Sequence, residues 1–266
     1  MKLKLPFVAL LGLAVFSVAN AQTDEQAQAE ELAKKLSNPI ASLISVPFQN
    51  NTDYGIGPNN GTRNTMNFQP VLPLSISEKY NLITRMVLPI VTQYNVTAPG
   101  AKENGLGDAV VSGFFSPKES SFTWGVGPAL LIPTGTDDFL TTKKFGVGPT
   151  AVALKQSNGW TYGALINQIW SVAGDDDRPD VNQMFLQPFV TYNWKSGAGL
   201  GTNMELTQNW ESSDTTIWLN PIVSGMTSLG GQKVSLAIGP RFNLAAPDGS
   251  KADWGWRAVV IFVFPK

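Results

Sequence analysis

From Pro47 onward the chain repeats one pattern: segments of about eleven to fourteen residues in which side chains alternate between two faces. A period of two is the signature of an extended strand. The last segment shows it best. Trp254, Trp256, Ala258, Val260, Phe262 and Phe264 share one face, while Gly255, Arg257, Val259, Ile261 and Val263 share the other. Val234, Leu236, Ile238, Pro240 and Phe242 repeat it against Lys233, Ser235, Ala237, Gly239 and Arg241. Soluble strands average about five or six residues, whereas a tilted strand crossing a bilayer needs about nine to eleven. One wholly apolar face and one that tolerates arginine fit a wall with lipid on one side and a lumen on the other.

Counting such segments gives about twelve: 47–57, 65–76, 80–93, 105–116, 121–133, 144–155, 159–171, 182–194, 198–209, 214–225, 232–243 and 253–264. No long apolar run follows the N-terminal region, so a membrane role has to come from strands closed into a barrel. The expected fold is all-β: a transmembrane up-and-down antiparallel β-barrel of about twelve strands. The connections alternate in length. Ser77–Lys79, Pro117–Ser120, Gln156–Asn158, Lys195–Gly197 and Thr227–Gly231 are short; Asn95–Asn104, Thr134–Lys143, Val172–Val181 and Leu244–Ala252 are long. Glu211–Ser213 breaks the rule. Short periplasmic turns and longer outer loops have this rhythm. Trp160, Trp170, Trp194, Trp210, Trp254 and Trp256 stand at segment ends, as interfacial girdles require. Trp218 is mid-segment and does not fit. Pro70, Pro128, Pro149, Pro188, Pro221 and Pro240 lie inside segments, although proline cannot donate to a ladder. All six phase outward, which points to a repeated local device such as a bulge.

The N-terminus carries an address. Lys2 and Lys4 precede the apolar run Leu5–Val18, and Ala19-Asn20-Ala21 is a small-x-small cleavage site. Residues 1–21 are expected to be a signal peptide cut after Ala21. Cleavage leaves 17 basic against 20 acidic residues, a net charge near −3. Residues 22–39 are expected to hold a short helix, with Glu30–Lys34 and Glu31–Lys35 at i,i+4 spacing and Asn38-Pro39 as its stop. Leu32 and Leu36 are its only large apolar side chains, so it reads first as a mobile periplasmic leader, with docking at the barrel mouth or plugging the lumen as alternatives. Residues 40–266 form the outer-membrane barrel in this reading.

Composition excludes much chemistry. The chain has no cysteine and no histidine. Thiolate sites, a Ser-His-Asp triad and a histidine-bound zinc are thereby impossible. No enzyme activity and no cofactor are expected, and the near-zero charge gives no reason to expect nucleic acid as a partner. The expected partners are outer-membrane lipid, the barrel assembly machinery and a small-molecule solute.

Inward phasing nominates Arg85, Asp108, Glu205, Lys233, Arg241 and Arg257 as pore-lining residues, with Asn67, Gln69, Gln187, Asn193 and Asn203 beside them. Charges of this kind tune ion preference in a pore; they equally suit a structural salt-bridge network joining the arginines to Asp108 or Glu205. In the loop 175–180, Asp175, Asp176, Asp177 and Asp180 are weak candidates for a divalent cation.

Several short runs carry a family resemblance: Asn38-Pro39-Ile40-Ala41-Ser42-Leu43-Ile44-Ser45-Val46-Pro47-Phe48-Gln49-Asn50-Asn51, Gly105-Leu106-Gly107-Asp108, Phe115-Ser116-Pro117, Gly125-Val126-Gly127-Pro128 with Ile132-Pro133-Thr134, and Phe262-Val263-Phe264-Pro265-Lys266. Over nearly the whole mature length the chain resembles the bacterial outer-membrane "transporter" family related to phenol meta-pathway proteins, some of whose members carry a neuromedin-U label. The resemblance implies a barrel with a transport role and supplies no site residues. Passive passage of small solutes is the expected function, with aromatic or hydrophobic compounds among them. A structural or adhesion barrel acting through its outer loops is the alternative.

Overall fold

The computed structural model of the protein describes residues 24–264; the expected signal peptide lies outside them. Fourteen strand segments form one antiparallel sheet: β1 (Ile44–Ile56), β2 (Gly61–Phe68), β3 (Val71–Ser75), β4 (Tyr80–Tyr94), β5 (Lys102–Leu106), β6 (Ala109–Pro117), β7 (Thr123–Ile132), β8 (Lys144–Ser157), β9 (Trp160–Gly174), β10 (Asn182–Asn193), β11 (Gly199–Asn209), β12 (Asp214–Leu229), β13 (Gln232–Ala245) and β14 (Trp254–Phe264). β14 pairs with β1 from Ile44↔Phe264 to Tyr54↔Trp254, so the sheet closes and leaves no edge.

The closed wall has twelve staves, because two staves are broken. β2 and β3 together fill the place between β1 and β4, interrupted at Gln69-Pro70, where proline offers no N–H. β5 and β6 both pair with β4, interrupted at Gly107-Asp108. The continuous segments expected over 65–76 and 105–116 are these two. At the second break Gly107 and Asp108 both border the lumen, which shifts the inward phase by one residue, as a bulge does.

Connections 76–79, 118–122, 158–159, 194–198 and 230–231 gather at one end, the turn end; 57–60, 95–101, 133–143, 175–181, 210–213 and 246–253 gather at the other, the loop end. The expected connection Thr227–Gly231 is mostly strand. Only Gly230 and Gly231 turn, with φ of 56° and 86°, values that suit glycine in a two-residue hairpin. At the loop end 57–60 joins 210–213 as a short connection, so the expected length rhythm holds less well there than at the turn end.

The exterior is apolar at mid-height. Leu72, Ile166, Val223 and Ile238 stand outward, 46%, 40%, 53% and 57% exposed. Aromatic rings bracket this belt. Tyr54 stacks on Trp254 at the loop end, with centroids 4.7 Å apart, and Tyr192 lies 5.0 Å from Trp160 and 5.3 Å from Trp194 at the turn end.

The outward prolines share a device, and it is not a bulge at each one. In three staves an inward glycine precedes the proline: Gly127-Pro128, Gly148-Pro149 and Gly239-Pro240. Pairing lapses beside each of these dipeptides. The residue across from each proline, Gly113, Gln168 or Pro221, has a carbonyl that receives no ladder N–H. That carbonyl swings into the space where the glycine's Cβ would stand. Glycine is required there by close approach, not by its φ.

The segment before β1 is not a mobile leader. Residues 24–36 form the expected helix, with Lys35 bonded to Glu31 at 2.6 Å. The chain from there to Leu43 packs inside the turn end. Leu32 and Leu43 form a cluster with Val263, flanked by Met226 and Ile261. Ile40 enters a second cluster with Val71, Ile83, Phe114, Val152, Leu154 and Leu165. Gln156 Nε2 donates to the Lys34 carbonyl and Asn193 Nδ2 to Ser37 Oγ, each at 2.8 Å. These partners come from β3, β4, β6, β8, β9, β10, β12 and β14, so the segment spans the bore. Two leucines sufficed because Ile40 and Leu43, beyond the helix, supply the rest of its apolar surface.

Candidate functional site

Above this plug the lumen divides into a filled side and an open side. The filled side is ionic. Arg257, 2% exposed, donates through Nη2 to both Glu205 oxygens at 2.8 and 3.1 Å and through Nε to Asn51 at 2.8 Å. Arg241, 4% exposed, donates through Nε to Asp53 at 3.0 Å. Its Nη1 lies 3.7 Å from Glu205 Oε2, close enough for Coulomb attraction but too far for a hydrogen bond, so that buried donor is unsatisfied. Trp218, out of place in any girdle, faces inward beneath the Arg241 guanidinium, 4.2 Å from centroid to Cζ.

The open side is a cavity of about 670 Å³ walled by β1, β2, β4, β6, β9 and β10 and by the loop 133–143. Its wall is mixed. On β1, β2 and β4, Gln49, Arg63, Asn67, Arg85 and Gln93 stand with Val87 and Val91. On β6, β9 and β10, Phe114, Leu165, Ile169 and Phe185 stand with Asn167, Gln183 and Gln187. A second cavity of about 180 Å³ lies toward the turn end beside Lys35, Leu36 and Pro39, and shares Gln49, Gln69 and Arg85 with the first.

The sequence-nominated residues separate into three groups. Arg85, Asp108 and Glu205 border the main cavity; Arg241 and Arg257 are sealed behind Glu205 in the ionic network; Lys233 sits beside the turn at 230–231, away from both cavities, with no ion pair among the described residues. Of the two carboxylates weighed for a salt-bridge network, Glu205 is its hub and Asp108 is outside it. Asp108 accepts hydrogen bonds from Gly135 N, Thr141 Oγ1, Thr142 N and Thr142 Oγ1, which pins the loop 133–143 across the lumen.

The acidic loop does not assemble a metal site: among the described residues no three carboxylates converge. Asp180 pairs with Lys144 at 3.1 Å, and Asp175 caps the Asp177 N–H. The Lys144 and Lys143 ammonium groups hold the Asp180 and Asp138 carboxyls below the usual aspartate range. Arg178, between the aspartates, donates to the carbonyls of Asp138 and Thr141 and so clasps the two loops together.

Asp53, Arg63 and Glu103 also face the lumen. Arg63 Nε donates to Gln93 Oε1 at 2.7 Å, and Gln93 Nε2 donates to Glu103 at 3.1 Å. The run Gln49–Asp53 is polar at every position, so its alternation carries no sign of which side faces in; only pairing with the legible β14 fixes it.

No family profile and no curated protein matches the sequence. Solved structures do match. The COG4313 outer membrane channel from Pseudomonas putida F1 superposes with a TM-score of 0.65 at 16% identity, covering 84% of this chain and 94% of that one. The β domain of the Bordetella autotransporter BrkA gives 0.47 at 12% identity, covering 84% and 100%. A Pseudomonas aeruginosa FadL homologue gives 0.36 at 9%, covering 85% and 92%. Only the first is close enough to bear on architecture, and what it shares with this chain is the fold. That likeness, the closed twelve-stave wall and the apolar outer belt together give this chain the fold of an outer-membrane β-barrel.

Proposed function

We propose that the barrel gives passive passage across the outer membrane to small solutes, aromatic and hydrophobic compounds among them, and that it belongs to the transporter family its sequence resembles. The observation that carries this reading is the cavity of about 670 Å³, lined by both apolar and polar side chains, inside a closed wall with an apolar exterior. A purely structural barrel of this width has no need of such a space; about eight strands let side chains fill the interior. The Glu205 network fills one side of the bore, while the cavity beside it runs from Phe139 at the loop end to Phe114 above the segment 24–43. The segment 24–43 closes the turn end, so passage requires it to yield or the smaller cavity beside Lys35 to widen. In the same reading the chain is exported by a signal peptide cut after Ala21, inserted by the barrel assembly machinery, and carries out no catalysis. Liposome swelling in a series of neutral sugars tests the transport reading. Small sugars should enter protein-bearing vesicles faster than protein-free ones, with the excess vanishing for larger sugars; equal rates at every size contradict it.

A further inference from the structure

Every carboxylate around the main cavity is answered from within the barrel. Glu205 is held by Arg257 and Arg241, Asp53 by Arg241, Asp108 by four donors of the loop 133–143, and Glu103 by Gln93 and Thr97. The cations are not all answered. Arg63 lacks an ion pair but stands directly across from Asp53 and is linked through Gln93 to Glu103. Arg85 feels Glu205 across the cavity but, among the described residues, forms no ion pair with it. Its one side-chain hydrogen-bond partner among the described residues is neutral, with Nη2 donating to Gln69 Oε1 at 2.8 Å. A guanidinium carries five N–H donors in a rigid fork suited to a carboxylate.

Arg85 is placed where a solute must pass. It borders both cavities, together with Gln49 and Gln69, and so stands at the seam between the open lumen and the plugged turn end. Its cross-strand partners on the two sides are Ser112 and Val71. One step toward the turn end, Ile83 and Phe114 begin the apolar floor that Ile40 completes. A charged fork at the edge of an apolar floor matches a ligand with one anionic end and a hydrophobic body.

We propose that Arg85 is the recognition residue of this lumen and that the solutes it selects are small organic monoanions with an apolar body, such as aromatic carboxylates. This rests on the transport reading above and names the substrate class for it. The carboxylate takes the free N–H groups of Arg85 beside Gln69, and the ring lies against Phe114, Leu165 and Phe185.

Channel block in planar bilayers tests this, with benzoate as the anionic probe and benzamide as its neutral counterpart of the same shape. Benzoate should reduce single-channel current in a concentration-dependent way, and benzamide should act only at concentrations at least about tenfold higher, since a hydrogen bond to a charged group is worth about a decade or more in affinity. Arg85→Gln should weaken benzoate block about tenfold or more while benzamide stays unchanged; Arg85→Lys, which keeps the charge, should retain part of the block and guards against a folding defect in the glutamine variant. Equal block by the two probes, or benzoate block unchanged in Arg85→Gln, overturns the assignment and leaves the channel standing. An absence of current steps in the wild-type protein removes the transport reading and this assignment together.

Discussion

Arg241 lies over the face of Trp218, its Cζ 4.2 Å from the ring centroid, inside the barrel and not at its rim. The indole supports a guanidinium that Asp53 and Glu205 hold from its other sides. Trp218→Leu keeps apolar bulk but removes the π face. It should cost about 0.5–2 kcal/mol, read as a lower urea midpoint for unfolding from lipid vesicles, with the heat-modifiable folded band on gels preserved.

Glu205 is the hub, and its loss should cost more. Glu205→Ala leaves Arg257 with Asn51 alone and removes one of two carboxylates facing Arg241. Removing one member of a buried ionic network typically costs about 3–5 kcal/mol. Replacing Glu205 and Arg257 together with methionine should recover most of that, because no uncompensated charge remains behind. A double variant as unstable as the single one contradicts this account of the filled side.

Gly239 and Gly225 form a matched test of the glycine-proline device. A methyl group on Gly239 meets the Pro221 carbonyl inside contact distance, whereas nothing lies within 4 Å of the corresponding site on Gly225. Gly239→Ala should lose about 1–3 kcal/mol and fold in lower yield from urea. Gly225→Ala should stay within about 0.5 kcal/mol of the parent.

Much of this fold is legible in the sequence. β13 and β14 alternate without interruption because one face is pure hydrocarbon and the other is small or polar, so their phase, their length and the inward direction of Arg241 and Arg257 followed directly. The breaks at Gln69-Pro70 and Gly107-Asp108 did not, since a one-residue disturbance inside a long stave leaves the average pattern intact. The docked segment is not legible in sequence for a physical reason: a helix with two leucines cannot anchor alone, and Ile40 and Leu43, which complete its apolar surface, sit beyond Asn38-Pro39, where the helical period has ended. Within the site, parity alone points Arg85, Asp108 and Glu205 at the lumen, where they border the cavity. Which carboxylate met which arginine depends on strands far apart in sequence, such as β1 against β14, and no local pattern carries that.

The clasp of the loop 175–181 onto the loop 133–143 and the adjoining Lys144 should depend on pH. Lys143 and Lys144 hold Asp138 and Asp180 below the usual carboxylate range. A depressed folded pKa means the stabilisation is fully present above the ordinary aspartate value of about 3.9 and is lost as pH falls through the lowered folded values. Fluctuation of open-channel current should therefore be flat from about pH 7 to 5 and rise only below about pH 4. A rise already near pH 6 contradicts the clasp, as does no change when Arg178→Ala removes the donor to Asp138 and Thr141.

On the transport reading, this wall encloses a usable passage held shut at the turn end by the segment 24–43. Single-channel recording on the purified full-length protein and on Ile40→Asp, which puts a charge into the apolar floor around Phe114 and Leu165, tests it most directly. The account predicts discrete current steps for the parent and larger or more frequent steps for Ile40→Asp, both proteins showing the folded band before heating. Correctly folded parent protein that gives no steps, or steps unchanged in Ile40→Asp, contradicts it.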